Sequence, residues 1–549
     1  MDKQKNSGQW LTDNQVSRRN FLSLCAAGTL PILLGACQTA PTANANPTPT
    51  GTATSAATKA AQPTPTKAPV LSEQDWSELG KKLAGPLLRP NSAQYETAHQ
   101  LFNTRFDTIK PAAIAYCSSP KDVQTCLEFV RKFNLPVTPR AGGHSYAGYS
   151  TTTGLLLDVT RMNSISIDAV SGNATIGSGA RLIDIYQALT QHNRILPGGS
   201  CPTVGISGLT MGGGVGVIGR KFGLTCDNLL SAQVVLADGR LVTCDAQNNA
   251  DLYWGLRGGG GGNFGIVTSF TFRTYPLNTL SIFTLSWSWS NAAAVLDAWQ
   301  NWAPSAPDEL WSNCLLLTSS DGQGDPLVRI NGVYVGDLGP LNTLLQQVID
   351  KVGVAPTGRY SNTTSVLDTM LYEAGCYNKS IEACRLPGMG PQGSLQRDTS
   401  KAKSDYITRR LSQQGIKTLV NAIEQRQISP TSGTAGIGID AFGGKINQVA
   451  PDATAFVHRN TLFSIQYTAT WSPNDTQRTI AGNIGWLDQT WQGMRPYASG
   501  SAYQNYIDPD LSNWQQAYYG NNLARLQQVK ATYDPNNLFH FKQSIPLKS

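Results

Sequence analysis

At 549 residues, 40% of them apolar and 14% charged, the chain is an ordinary folded protein too long for one core, which implies two large globular units plus appendages. Its formal charge of +7 is spread too thinly to build a basic stripe, which excludes nucleic-acid binding. Glycine, at 53 residues, is the informative excess, and it clusters at 212–216 and 258–262.

The N-terminus reads as an address. Ser17-Arg18-Arg19-Asn20-Phe21-Leu22 is a twin-arginine export pattern, and the apolar run from Phe21 to Ala36 is shorter than the ~20 residues of a spanning helix. Leu34-Gly35-Ala36-Cys37 matches a lipobox, in which Cys37 becomes a lipidated mature N-terminus. A plain signal peptide cut nearby and an uncleaved anchor are the alternatives. Residues 38–70 are nearly all Pro, Thr, Ala, Asn, Ser, Gln, Lys and Gly, which buries no core and makes a solvated spacer. The expectation is an extracytoplasmic protein, tethered or secreted, whose membrane contact is at most a lipid on Cys37.

From 71 to 278, short strands alternate with helices. Ala112 to Tyr116, Pro136 to Pro139, Gly154 to Asp158 and Ser164 to Ile167 read as strands, and Val123 to Phe133 and Leu182 to His192 as helices. From 279 to 500, alternating runs such as Leu280 to Trp287 and Phe463 to Thr468 predict an antiparallel sheet, with helices near 292–302, 340–352 and 404–426. The segment 501–549 carries a helical pattern from Trp514 to Tyr533 and closes on Asp534-Pro535-Asn536-Asn537. Beyond Cys25 and Cys37, the eight cysteines form no CxxC pairs, so no metal site is expected. Cys376 with Cys384 is the closest-spaced candidate disulfide outside the N-terminal half.

Three glycine-framed loops carry the chemistry. Arg140-Ala141-Gly142-Gly143-His144-Ser145 follows a strand, and paired glycines let backbone N–H groups approach an anionic group. Gly198-Gly199-Ser200-Cys201-Pro202-Thr203-Val204-Gly205 holds a cysteine near backbone and solvent rather than in a core. Arg257 to Gly265 contains five consecutive glycines, an entropic cost that argues for backbone lying against a ligand. Gly214-Val215-Gly216-Val217-Ile218-Gly219 matches the GxGxxG dinucleotide fingerprint, with Asp238 downstream. It is set aside because it follows a glycine loop and no apolar helix face comes after it.

His144 in Arg-Ala-Gly-Gly-His-Ser, Cys201 in Cys-Pro-Thr-Val-Gly, Asp251 to Gly262 and Tyr533 to Phe539 together resemble the berberine bridge enzyme-like FAD-linked oxidases, from about residue 75 onward. The resemblance implies an α+β chain with a PCMH-type (vanillyl-alcohol oxidase) FAD-binding domain in two parts, 71–278 and 501–549. An antiparallel-sheet substrate domain covered by helices is inserted at 279–500. It implies FAD held covalently by His144 and Cys201, as in the family's bicovalent members related to oligosaccharide oxidases. Flavin contacts carry over to Arg140, Gly142, Gly143 and Ser145 around the histidine, and to Thr203, Val204, Gly205, Gly208, Gly213 and Gly214 after the cysteine. Gly265, Ile266, Val267 and Asn537 complete them. A flavin loaded in the cytoplasm suits export in the folded state.

The same resemblance assigns Tyr506, in Tyr503-Gln504-Asn505-Tyr506-Ile507-Asp508, as the base for a substrate hydroxyl, and Gln466 as a substrate contact. Ser464 stands where plant members often carry the lysine that would depress a tyrosine's pKa. Asp440 matches an acidic position of the sugar-oxidising branch, where it would bind hydroxyls or polarise Tyr506, and Tyr146 would line the same groove. Val204 matches a position tied to oxygen access, and a residue this small favours O2 as acceptor with hydrogen peroxide as product. The expected substrate is an alcohol or hemiacetal carbon of a sugar or oligosaccharide; oxidation or cyclisation of a phenolic or polyketide metabolite is the alternative. A non-catalytic carbohydrate-binding lipoprotein would leave the glycine loops without a use.

Overall fold

The computed structural model describes residues 70–319, 324–388, 392–429 and 433–548. The twin-arginine pattern, the lipobox and the spacer up to residue 69 lie outside the described residues.

The first sheet takes β1 (Leu87–Leu88), β2 (Ala113–Tyr116), β3 (Val137–Arg140) and β4 (Leu155–Asp158) in the order β1-β2-β4-β3. β2 and β3 both run parallel to β4, and the unbroken Leu155-Leu156-Leu157 suits a central parallel strand buried on both faces. The helix Pro120–Phe133 crosses between β2 and β3. The Ser119 hydroxyl accepts from Asp122 N–H at its start, and Asn134, at φ 49°, ends it.

A second, antiparallel sheet takes β5 (Ile165–Ile167), β6 (Ala174–Gly177), β8 (Leu229–Val235), β9 (Leu241–Asp245) and β10 (Ile266–Phe272) in the order β5-β6-β10-β8-β9. β7 (Arg194–Ile195) pairs with β11 (Tyr275–Pro276). The C-terminal helix Leu523–Tyr533 returns to this part of the molecule. Its fully buried Lys530 donates to Asn263 O at 2.8 Å, Asp534 Oδ2 at 2.7 Å and Phe539 O at 2.5 Å, so the charge is paired and every N–H is used.

The third sheet is antiparallel throughout. It takes β12 (Thr279–Trp287), β13 (Leu310–Leu317), β14 (Leu327–Tyr334), β15 (Gly358–Ser365), β16 (Ser400–Ile407), β17 (Ala435–Ala441) and β18 (Phe463–Thr470) in the order β15-β12-β14-β13-β17-β18-β16. Alternation divides its faces. Cys314, Leu316, Ile437, Ile439, Ile465 and Tyr467 pack under the helices Ala292–Trp302, Leu338–Val352, Gln413–Gln427 and Gln477–Met494. Leu315, Leu317, Gly438, Gln466 and Thr468 point the other way, into a cavity against the first half of the chain.

Two expectations need correction. The helix expected at 404–426 begins only at Gln413; Ser400–Ile407 is an edge strand. Its Lys401, Lys403 and Asp405 recur with period two, and partners from later in the chain balance their charge: Asp510, Asp508 with Asp488, and Arg495. The helical pattern from Trp514 to Tyr533 is broken at Gly520–Asn522, with Gly520 at φ 48°. The 18-residue helix Gln477–Met494 was not anticipated. Cys376 and Cys384 are bonded. No helix among the described residues is long and apolar enough to cross a membrane.

Candidate active site

Two loops meet back to back on one side of the cavity. A Cβ on Gly142 would lie 2.2 Å from Gly205 N, and one on Gly205 would lie 2.4 Å from Gly142 N, so neither position admits a side chain. The contact sets the loop after β3 beside the loop that carries Cys201, and both His144 and the half-buried Cys201 border the cavity. His144 Nε2 is 2.9 Å from Thr203 Oγ1, and Phe102 stacks on its ring at 4.2 Å between centroids. Arg140 is fixed by Asp158, 2.7 Å away and equally buried, and by Ala98 O at 2.7 Å. The Ser145 hydroxyl accepts from Tyr149 N–H at 3.0 Å.

The glycine run divides its work. Gly258 has φ 122° and a Cβ there would meet Phe456 N at 2.3 Å, so the first part of the run packs against protein; only Gly261 and Gly262 line the cavity. The entropic argument for a ligand-facing backbone therefore holds for the second part alone.

Across the cavity stand side chains from the third sheet and from the stretch after it. Gln466 Nε2 donates to Tyr146 Oη at 3.2 Å and to Thr468 Oγ1 at 3.3 Å. Tyr146 and Tyr506 lie nearly parallel, 5.4 Å apart, and Tyr503 meets Tyr506 edge-on at 4.9 Å. Tyr503 Oη accepts from Gly214 N–H at 3.0 Å, Val215 N–H at 3.3 Å and Asn505 Nδ2 at 2.9 Å, so the glycine cluster at 212–216 is fastened to the strip that carries Tyr506. Complete burial pushes the Tyr503 hydroxyl well above its ordinary pKa. Behind this strip, His458 stacks on Tyr406 at 4.3 Å and burial pulls its pKa down to about 3, so it is neutral at physiological pH.

Of the residues expected from sequence to hold the flavin, Arg140, Gly142, Gly143, His144, Ser145, Cys201, Val204, Gly205, Gly208, Gly265, Ile266 and Val267 border this one cavity. Thr203 reaches it through His144, and Gly214 through Tyr503, while Gly213 packs against Phe456. Asn537 takes φ 52° in the turn after the last helix; the neighbouring Phe539, His540 and Phe541 line the cavity instead. Tyr146, Gln466 and Tyr506 come together on the wall, while Asp440 lies buried on β17, two residues past Gly438 and opposite Asn313 and Ser464. Sequence reading missed Phe102, Asn103, Leu315, Leu317, Asp398, Ser400 and Ala402 as wall residues. Gln466 came from the family resemblance; strand alternation from it would have reached Thr468 as well, and for the others no local signal existed.

Glycine loops that bring backbone N–H groups to a long cavity, with a histidine and a cysteine side by side on its wall, fit a flavin dinucleotide. The FAD binding domain family matches residues 111–245, and the berberine and berberine-like family matches 502–546. The cavity is thus that of an FAD-linked oxidoreductase. The uncharacterized FAD-linked oxidoreductase YgaK of Bacillus subtilis is 33% identical over 470 residues, 85% of this chain and 97% of that protein. The structure of Physcomitrella patens BBE-like 1 superposes with a TM-score of 0.78 at 32% identity, covering 86% of this chain and 99% of the other. A chitooligosaccharide oxidase superposes at 0.77 with 28% identity, covering 86% of this chain and all of the other. The chain belongs to the berberine bridge enzyme-like FAD-linked oxidases, with their PCMH-type fold.

Proposed function

We propose that this chain is an exported oxidase that oxidises an alcohol or hemiacetal carbon of a sugar or oligosaccharide, with FAD joined to both His144 and Cys201 and O2 reduced to hydrogen peroxide. The observation that carries the reading is the polar strip of the sheet wall, Gln466, Thr468 and Ser400, set beside the paired rings of Tyr146 and Tyr506. Such a wall offers hydrogen bonds to hydroxyls and flat apolar faces to a sugar ring. The structural likeness to a chitooligosaccharide oxidase supports it.

FAD supplies the acceptor for a hydride. In this reading Tyr506 takes the hydroxyl proton of the substrate, Gln466 orients that hydroxyl, and Tyr146 holds Gln466 in place through the 3.2 Å bond. Tyr503 keeps its proton at neutral pH because burial holds it un-ionised, so it does not act as the base; it positions Tyr506 and the glycine backbone together. Val204, on the wall beside Cys201, leaves space for O2. The twin-arginine pattern and lipobox place the working enzyme outside the cytoplasm, on a Cys37 tether. A phenolic substrate is the second reading, favoured by Leu315 and Leu317 on the same wall.

A panel of sugars and phenols assayed for peroxide release separates the two readings, and peroxide from phenols alone sinks the first. Acid-precipitated protein should keep its yellow colour in either single variant, His144→Ala or Cys201→Ala, and lose it in the double variant. A single variant that bleaches would break the claim of two attachments.

A further inference from the structure

Asp398 is the only acidic residue among the described residues of the cavity wall, and the reaction above makes no use of it. Its backbone is pinned: its N–H donates to Phe102 O at 3.1 Å and its carbonyl accepts from Thr104 N–H at 2.8 Å. The side chain belongs to a residue only 6% exposed. Oδ1 accepts from Thr399 N–H at 2.9 Å, whereas Oδ2 has no hydrogen bond of normal geometry, with the Ser400 hydroxyl close by.

Among the described residues no cation is paired with this carboxyl: Arg397 is held by Asp107 and Leu101 O, Arg105 donates to Ser400 O, and Lys401 pairs with Asp510. Burial rather than a neighbouring charge governs the group and pushes its pKa up to about 7. A buried carboxylate on a cavity wall, with only the Thr399 N–H and the nearby Ser400 hydroxyl as donors, keeps lone pairs for a hydrogen bond from a ligand.

The strand register says which part of a ligand. Gln466 faces Ser404 across the β16–β18 pair, and Asp398 lies six residues back along the same chain, roughly 20 Å at about 3.3 Å per residue. Ala402, opposite Thr468, and Ser400 line the cavity between them, and both are small. Gln466, Thr468, Ala402, Ser400 and Asp398 thus border the same cavity along this pair of strands.

We propose that Asp398 is a distal substrate-binding residue, whose Oδ2 accepts a hydrogen bond from a hydroxyl of a sugar unit remote from the oxidised carbon, giving a preference for oligosaccharides over monosaccharides. The proposal rests on the sugar-oxidase reading above. It is tested on the purified, flavin-loaded enzyme with a monosaccharide and its oligomers of increasing length, comparing wild type, Asp398→Asn and Asp398→Ala.

Asp398→Ala is expected to raise KM for the longest oligomer about tenfold, as the loss of one hydrogen bond to a charged group implies, with kcat and the monosaccharide constants unchanged. Asp398→Asn, which keeps a carbonyl acceptor, falls between. In wild type the KM for the longest oligomer should rise as pH falls through about 7, and Asp398→Asn should lose that dependence. Equal effects on short and long sugars, or none on either, overturn the proposal. Loss of bound flavin in the variants also overturns it, by assigning the carboxyl to the cofactor. A wild-type enzyme that oxidises phenols but no sugar removes the reading beneath it, a result visible before any variant is made.

Discussion

The two walls of the cavity are made in opposite ways. On the flavin side, glycine backbone is pressed against its neighbours: Gly142 against the Gly205 backbone, Gly258 against the Phe456 backbone, and Gly214 under the Tyr503 hydroxyl. On the sheet side, side chains project at alternate positions from regular strands, as Leu315, Leu317, Gln466 and Thr468 do. A wall of the first kind tolerates little change, because any added atom moves a loop; a wall of the second kind can be rewritten residue by residue over an unchanged backbone. The cofactor and its chemistry are thus tied to the rigid wall, and the choice of substrate to the editable one.

That contrast can be broken most decisively at Gly142. Gly142→Ala must force the two loops apart and should cost more than about 3 kcal/mol, seen as a lower thermal midpoint together with loss of bound flavin. An alanine variant with normal stability and full flavin would show that the loops can slide. Tyr506→Phe should leave the fold and flavin intact and lower kcat by about 10²–10⁴, the range for losing a general base; an unchanged pH–rate profile would exclude the tyrosine from that role. Gln466→Leu, on the editable wall, should raise KM for the true substrate about tenfold at constant thermal midpoint.

A separate effect is a pH dependence of stability. The Asp398 carboxyl has its folded pKa raised to about 7, above the unfolded value near ~3.9, so its contribution to stability is fully present below about pH 4 and is lost as pH rises through 7. Asp398→Asn should therefore come close to wild type at pH 4 and be more stable at pH 8, by at most about 4 kcal/mol. Thermal unfolding at the two pH values measures it, and a constant difference would mean that the carboxyl is balanced in the native protein.

The rigid wall was largely legible in the sequence because its determinants are contiguous. Arg140 to Ser145 and Gly199 to Gly205 announce themselves as glycine-rich strings, and the structure sets them against each other. Helices with local caps, such as Pro120–Phe133 after Ser119, were legible for the same reason. The editable wall was not. The end of β16 fell inside the helix expected at 404–426, yet this strand holds Lys403 buried through Asp508, 105 residues away, and no local pattern carries that information. Asp398 joined the wall by pairing with Asn103, almost 300 residues earlier in the chain. Asp440 shares its face of β17 with Gly438, which lines the cavity two residues before it, a placement that strand alternation makes legible only once the strand is known.

Lys530 and the three residues Phe539 to Phe541 make the cavity depend on a segment far along the chain from the glycine loops. A chain cut before Lys530 would lack three side chains of the flavin wall and leave the Asn263 carbonyl without its ammonium, so it should take up flavin poorly however well the rest folds.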